Sequence, residues 1–138
     1  MAAEIREIPI GGDLKPFLDV VERIYRGDPS YVRPLDLDVR DRLSKKNPFF
    51  AHAEGTCFTA FRNGLCVGRV TAQIDRAHLD RHRDGAGFFG FLDTIDDAEV
   101  CKLLLDRAAT WLKARGMSRI RGPLSLNINE ELGCLVEG

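Results

Sequence analysis

The run AGFFGFLDTIDDAEVCKLLLDRAATWLKARGMSRIRGPLSL, Ala86 to Leu126, decides the fold. Gly87-Phe88-Phe89-Gly90-Phe91-Leu92 is a short, aromatic-rich apolar run, the pattern of a strand covered on both faces. Asp96 is positioned to cap a helix, with Glu99 three residues later in capping-box position. Val100, Leu103, Leu104, Ala108, Trp111 and Leu112 then recur at helical spacing, and Lys102, Asp106, Arg107 and Lys113 fall on the other side. Arg115 closes the last turn, and Gly116 supplies the left-handed residue that ends it. Ser118 to Leu124 leads out as a second strand. Strand, helix of about 19 residues and strand make a parallel, right-handed crossover. A functional site is expected at the carboxyl ends of its two strands.

Working outward, Thr56 to Phe61 and Leu65 to Ile74 form a strand pair around Asn63-Gly64, the strongest short hairpin signal. A two-residue turn would pair Phe61 with Cys66 and Cys57 with Val70. The two thiols then stand roughly 13 Å apart along the strand, too far for a disulfide. Ile5 to Ile10 alternates as a first strand, with Pro9 at its end or at a sheet edge. Leu14, Phe17, Leu18, Val21, Ile24 and Tyr25 predict a helix that Gly27-Asp28-Pro29 stops. A second helix is predicted from Leu35 to Lys45, with Leu35, Val39 and Leu43 facing inward. Arg76 to Gly85 reads as a solvated polar excursion. The predicted order is β-α-α-β-β-β-α-β, an α/β (α+β) mixed sheet within one domain, 1–138.

Hydrophobic residues at 44%, charged residues at 30% and a net charge of −1 describe a soluble globular chain. Interleaved charges argue against nucleic acid or an anionic membrane as an obligatory partner. No run approaches the ~20 apolar residues of a membrane span, and the polar start carries no signal-peptide pattern. Cys57, Cys66, Cys101 and Cys134 lack metal-ligand spacing and read as free thiols of a cytoplasmic protein. No Ser-His-Asp set, Walker loop or dinucleotide fingerprint occurs.

The element order, with Gly87 to Asp93, Arg121-Gly122-Pro123 and Asn127 to Gly138, resembles a bacterial branch of the GCN5-related N-acetyltransferase (GNAT) superfamily. Such chains run on into a further helix and strands, so the expectation here is an amino-terminal part of that fold. The resemblance implies acetyl-CoA or another acyl-CoA along Phe91, Leu92, Asp93, Ile95, Asp97 and Ala98, with Asn127 close by. GNAT chains hold the pyrophosphate on Arg or Gln, two residues, Gly, one residue, Gly or Ala, because bare amides at a helix start bind anions. Asp93 to Glu99 instead has no glycine, no arginine and four carboxylates. These acids equally serve as partners of the positive helix end.

The resemblance also places a thiolate-protonating tyrosine seven residues after an Asn. Counted from Asn127, that slot is Cys134, whose thiol could act as acid or remain an inert buried group. Glu130 is the candidate base for an amine acceptor, and Asn129 a candidate acceptor ligand. An asparagine cap followed by first-turn acids accounts for the same residues. Tyr31 and Arg33 border the expected acceptor side, whereas Tyr25 and Trp111 read as core. His78 and His82 would share a face if helical, but Arg76, Arg81 and Arg83 oppose a dication there, so no metal site is assigned. Those arginines could meet a phosphate, and His52 could lie near the acceptor; a solvated surface explains them equally. Two readings result: an acyltransferase for a small amine, or a non-catalytic module that self-associates through an open sheet edge.

Overall fold

The computed structural model describes residues 3–123; Asn127, Asn129, Glu130 and Cys134, singled out from the sequence, lie outside the described residues. In chain order come β1 (Glu4–Pro9), α1 (Lys15–Ile24), α2 (Asp36–Arg42), a 3-10 turn (Pro48–Ala51), β2 (Ala53–Arg62) and β3 (Leu65–Asp75). They are followed by α3 (Arg76–His82), β4 (Ala86–Thr94), α4 (Ala98–Ala114) and β5 (Arg119–Arg121). The strands form one sheet in sequence order, antiparallel from β1 to β4, with β5 parallel to β4. The mixed sheet and its β4-α4-β5 crossover are those expected from Ala86 to Leu126.

Alternation along the strands sends side chains to two helical layers. Phe58, Ala60, Val70, Ala72 and Ile74 pack with Val100, Leu104, Ala108 and Leu112 of α4. On the opposite face, Cys57, Ile8 and Phe91 pack with Phe17 and Leu18 of α1 and Val39 of α2. Helix α4 is held because Leu104 and Ala108 are fully buried at helical spacing while Glu99, Lys102 and Asp106 face out.

Several local details differ from expectation, each for a local reason. The cap of α4 is Asp97, not Asp96: its carboxylate accepts from the amides of Glu99 (3.0 Å) and Val100 (3.4 Å). Asn63-Gly64 does pair Phe61 with Cys66, but a bulge at Ala60/Phe61 shifts the ladder, so Cys57 faces Thr71 rather than Val70. The segment after β3 is helical, because Asp75 caps it by accepting from Ala77 and His78 amides. Helix α2 is shorter than predicted, and Leu35 points outward at 70% exposure while Val39 and Leu43 are buried. Among the described residues, no helix is long and apolar enough to cross a membrane.

The sheet and α4 approach each other through Gly87. A Cβ there would lie 2.5 Å from Cδ2 and 3.1 Å from Cδ1 of buried Leu112. Gly87→Ala is expected to cost about 1–3 kcal/mol by overpacking, read as a lower urea midpoint with unchanged slope.

Candidate functional site

The site is set by a bulge in β4. Gly87 faces Leu112, and Phe89 packs on the α4 layer. Strict alternation would send Phe91 and Asp93 to that same side. Instead, the pairing moves from Thr71↔Gly90 to Arg69↔Asp93, inserting one extra residue on β4. Phe91 takes up the bulge with a φ of 49°, a left-handed conformation unusual for a bulky side chain. The phase is thereby inverted: Phe91 joins the α1 layer and Leu92 the α4 layer.

On the α1 side, the bulge brings Asp93 to Arg69, a β3 side chain only 5% exposed. The guanidinium donates to Asp93 Oδ2 from Nε (3.0 Å) and reaches it from Nη2 (2.9 Å). Its Nη1 donates to the Phe17 carbonyl at 3.0 Å, and its plane lies over the Phe17 and Phe91 rings at 4.8 and 5.6 Å. Asp93 Oδ1 accepts from the Tyr25 hydroxyl. Burial first, and then this bond to Asp93, raises the Tyr25 phenol well above its ordinary range. Tyr25 is therefore a neutral donor in the physiological range rather than a base.

Tyr25 stacks on Tyr31 with ring centroids 3.9 Å apart and planes 9° from parallel. Both line a cavity of about 320 Å³ with Glu22, Arg26, Asp28 and Arg33. The Arg33 guanidinium is engaged by Asp19 (2.9 Å), Glu22 (3.1 Å) and Asp36 (2.8 Å). It thus ties α1 to the start of α2 and shapes the cavity wall. Tyr31, expected near an acceptor, is joined through Tyr25 to Asp93 and the end of β4, and Arg33, expected there too, lines the same cavity.

The β4-α4 corner is arranged differently from a row of four acids. Asp93 leaves it for Arg69. Asp97 caps α4 and binds Arg62 from the end of β2, whose guanidinium also lies 3.6 Å from Glu99. The bond to Arg62 holds the Asp97 carboxyl below its usual range. Leu92 and Ile95 pack on the α4 layer, and the Ile95 amide donates to the Val67 carbonyl at 3.0 Å. Ala98 is the first residue of α4. Arg62, Arg69 and the role of Tyr25 were not singled out from sequence; a charge within the apolar run of β3 was the available signal for Arg69.

The remaining candidates lie elsewhere. His78 Nε2 is 3.0 and 3.1 Å from the two Asp84 oxygens, with its ring 4.6 Å from His82. Arg76 pairs with Glu54 at 3.3 Å. His52 Nδ1 is 2.9 Å from Asp75. Burial pushes the Cys57 thiol up to about 12 and raises that of Cys66, so both are poor nucleophiles.

No protein-family model matches the chain. It is similar to Protein YghO of Escherichia coli, 44% identical over 126 residues, which is 91% of this chain and 32% of that protein. It is also similar to the bacterial ceramide synthase of Caulobacter vibrioides, 40% identical over 141 residues, 99% of this chain and 36% of that one. The chain thus spans about a third of the length of these relatives. Solved structures share the architecture at low identity. A probable acetyltransferase from Staphylococcus epidermidis superposes with a TM-score of 0.61 at 15% identity, over 86% of this chain and 70% of that one. An aminoglycoside acetyltransferase from an uncultured soil metagenomic sample gives 0.59 at 14%, over 86% and 75%. An N-acetyltransferase from Thermoplasma acidophilum, solved with coenzyme A, gives 0.52 at 19%, over 85% and 76%. The fold is GNAT-like, that of the acetyltransferases.

Asp93→Asn leaves the buried Arg69 charge uncompensated and is expected to cost about 3–5 kcal/mol. Its second effect is on alkaline stability. The Tyr25 phenol is raised in the folded state above its reference of 10.0, so its contribution is complete below that pH and is lost as pH climbs above it. The ultraviolet tyrosinate titration of the Asn variant should begin at lower pH, with a shallower fall in stability through that window.

Proposed function

We propose that the chain carries the acyl-transfer fold of an N-acyltransferase that joins the acyl group of an acyl-CoA to a long-chain amine. The observation that supports this best is the β4 bulge. It turns backbone around Phe91 out of the β3 ladder at the carboxyl end of β4, where an acyl carbonyl could be polarised by an amide. A buried aromatic held at positive φ at such a strand end is compatible with function as well as with the pairing of Arg69. For the acceptor, the support is similarity to a ceramide synthase, since a ceramide is the amide of a long-chain amino alcohol. The amine's place would be the cavity lined by Tyr25 and Tyr31, with Asp28 available to an ammonium head, since Glu22 is engaged by Arg33.

The donor fits this chain in one part and not in another. The bulge suits a carbonyl. The mouth of α4 does not suit a pyrophosphate, because Asp97 already occupies the Glu99 and Val100 amides and Glu99 adds charge beside it. No role in transfer is therefore assigned to the α4 mouth. Glu130 as base, Cys134 as acid, and Asn127 and Asn129 as ligands remain part of the proposal. So does a cytoplasmic setting, in keeping with free Cys57, Cys66 and Cys101.

The same Asp97 observation favours a second reading: a non-catalytic GNAT-like module assembling through the β1 edge. Titration calorimetry with acetyl-CoA and a long-chain acyl-CoA separates the two. The transferase reading expects saturable heat and amide product from a long-chain amine; absence of both at millimolar ligand would end it. Asp97→Ser keeps a capping oxygen and removes a charge, so acyl-CoA should bind this variant several-fold tighter. An unchanged affinity would place the phosphates away from α4.

A further inference from the structure

The segment joining α1 to α2 is turned outward in a way its sequence did not suggest. Val32 is 85% exposed, Leu35 70% and Leu37 69%. Three large aliphatic side chains within six residues thus stand in water, while Val39 and Leu43 fill the core beneath them. A cluster of this kind on a surface marks an interaction site. Val32 sits between Tyr31 and Arg33, both of which line the cavity, so this end of the ridge adjoins the cavity. Pro29 before the ridge and Pro34 within it restrict the backbone.

We propose that this ridge inserts into the surface of an anionic lipid bilayer and sets the cavity mouth against it. Side chains that project this far wall no groove, so they do not suit a lone alkyl chain. They suit the apolar layer just below lipid headgroups, as interfacial anchors do. The charge around them agrees. Residues 26–46 hold six Lys and Arg and four Asp, a local +2 in a chain whose net is −1. One of these acids, Asp36, is bound to Arg33. Arg33 is also held by Asp19 and Glu22, and exposed Arg26, Arg40, Lys45 and Lys46 face headgroup phosphates with exposed Asp28, Asp38 and Asp41 among them, a small cationic excess. The chain-wide balance that argued against a membrane partner averages this excess away. The proposal rests on the long-chain amine reading for its purpose, since such an amine resides in a bilayer, but its test does not need turnover.

The full chain would be floated with vesicles of phosphatidylcholine and phosphatidylglycerol in equal parts, beside Leu35→Asp/Leu37→Asp. Neither leucine lines the cavity and both already face water, so the variant should melt where the wild type does. Wild type is expected to float, less so at high salt, and the variant to partition at least about tenfold more weakly. Transfer to a short, water-soluble amine should be equal in the two proteins. Loss of that transfer with flotation intact would remove the enzymatic reading and keep the lipid surface. Wild type that stays behind, or a variant that floats equally well, overturns the proposal. A dimer that the variant splits while neither protein floats would assign the ridge to a second copy and overturn it too.

Discussion

An arginine in the middle of a sheet is a severe constraint. Arg69 lies on β3, the strand paired on both sides, under the helix α1. Leaving such a charge unpaired in a low-dielectric interior would cost more than any local distortion of a strand. The distortion needed is one extra residue and one unusual φ, of order 1–3 kcal/mol. The bulge is accordingly the lesser cost. Once it forms, Asp93 faces the guanidinium, Phe91 slides under it against Phe17, and Tyr25 finds a carboxylate at the end of its helix. The cavity beside Tyr25 is lined by α1 and the connector after it, and the bond to Asp93 fixes Tyr25 in its wall.

The other end of the β4-α4 connection obeys a different electrostatic rule. A helix start presents amides that favour negative charge, and here the chain supplies that charge itself. Asp97 fills the position, and Arg62 from the hairpin balances it. Arg62 offsets one of the three carboxylates Asp96, Asp97 and Glu99, so this corner is less acidic than counting residues suggests but still negative. A phosphate arriving there would have to displace a short-range cap already in place.

Much of the architecture was legible because it rests on period and punctuation. The α4 stripe, Gly116 with its φ of 87°, and Asn63-Gly64 all act locally and could be read locally. The bulges could not. Gly90-Phe91-Leu92 is as good a regular strand as a broken one, and only the distant demand of Arg69 selects between them. Leu35 misled for a related reason: at helical spacing from Val39 it reads as core, yet α2 begins one residue later and the side chain faces out. Tyr25 fits the apolar stripe of α1 by spacing, while its hydroxyl is claimed by a residue 68 positions away. Sites assembled from long-range pairs leave little trace in any one stretch.

The stacked phenols have a practical side. Tyr25 and Tyr31 are the two tyrosines of the chain, and Trp111 is its one tryptophan. The phenols sit face to face on the α1 side, whereas the indole lies on α4 with the Arg115 guanidinium 3.8 Å above its ring. Nature has therefore placed one kind of chromophore in each helical layer. Light absorbed by the phenols reports the cavity, and indole emission reports the far side of the sheet, so either half of the molecule can be watched without a label.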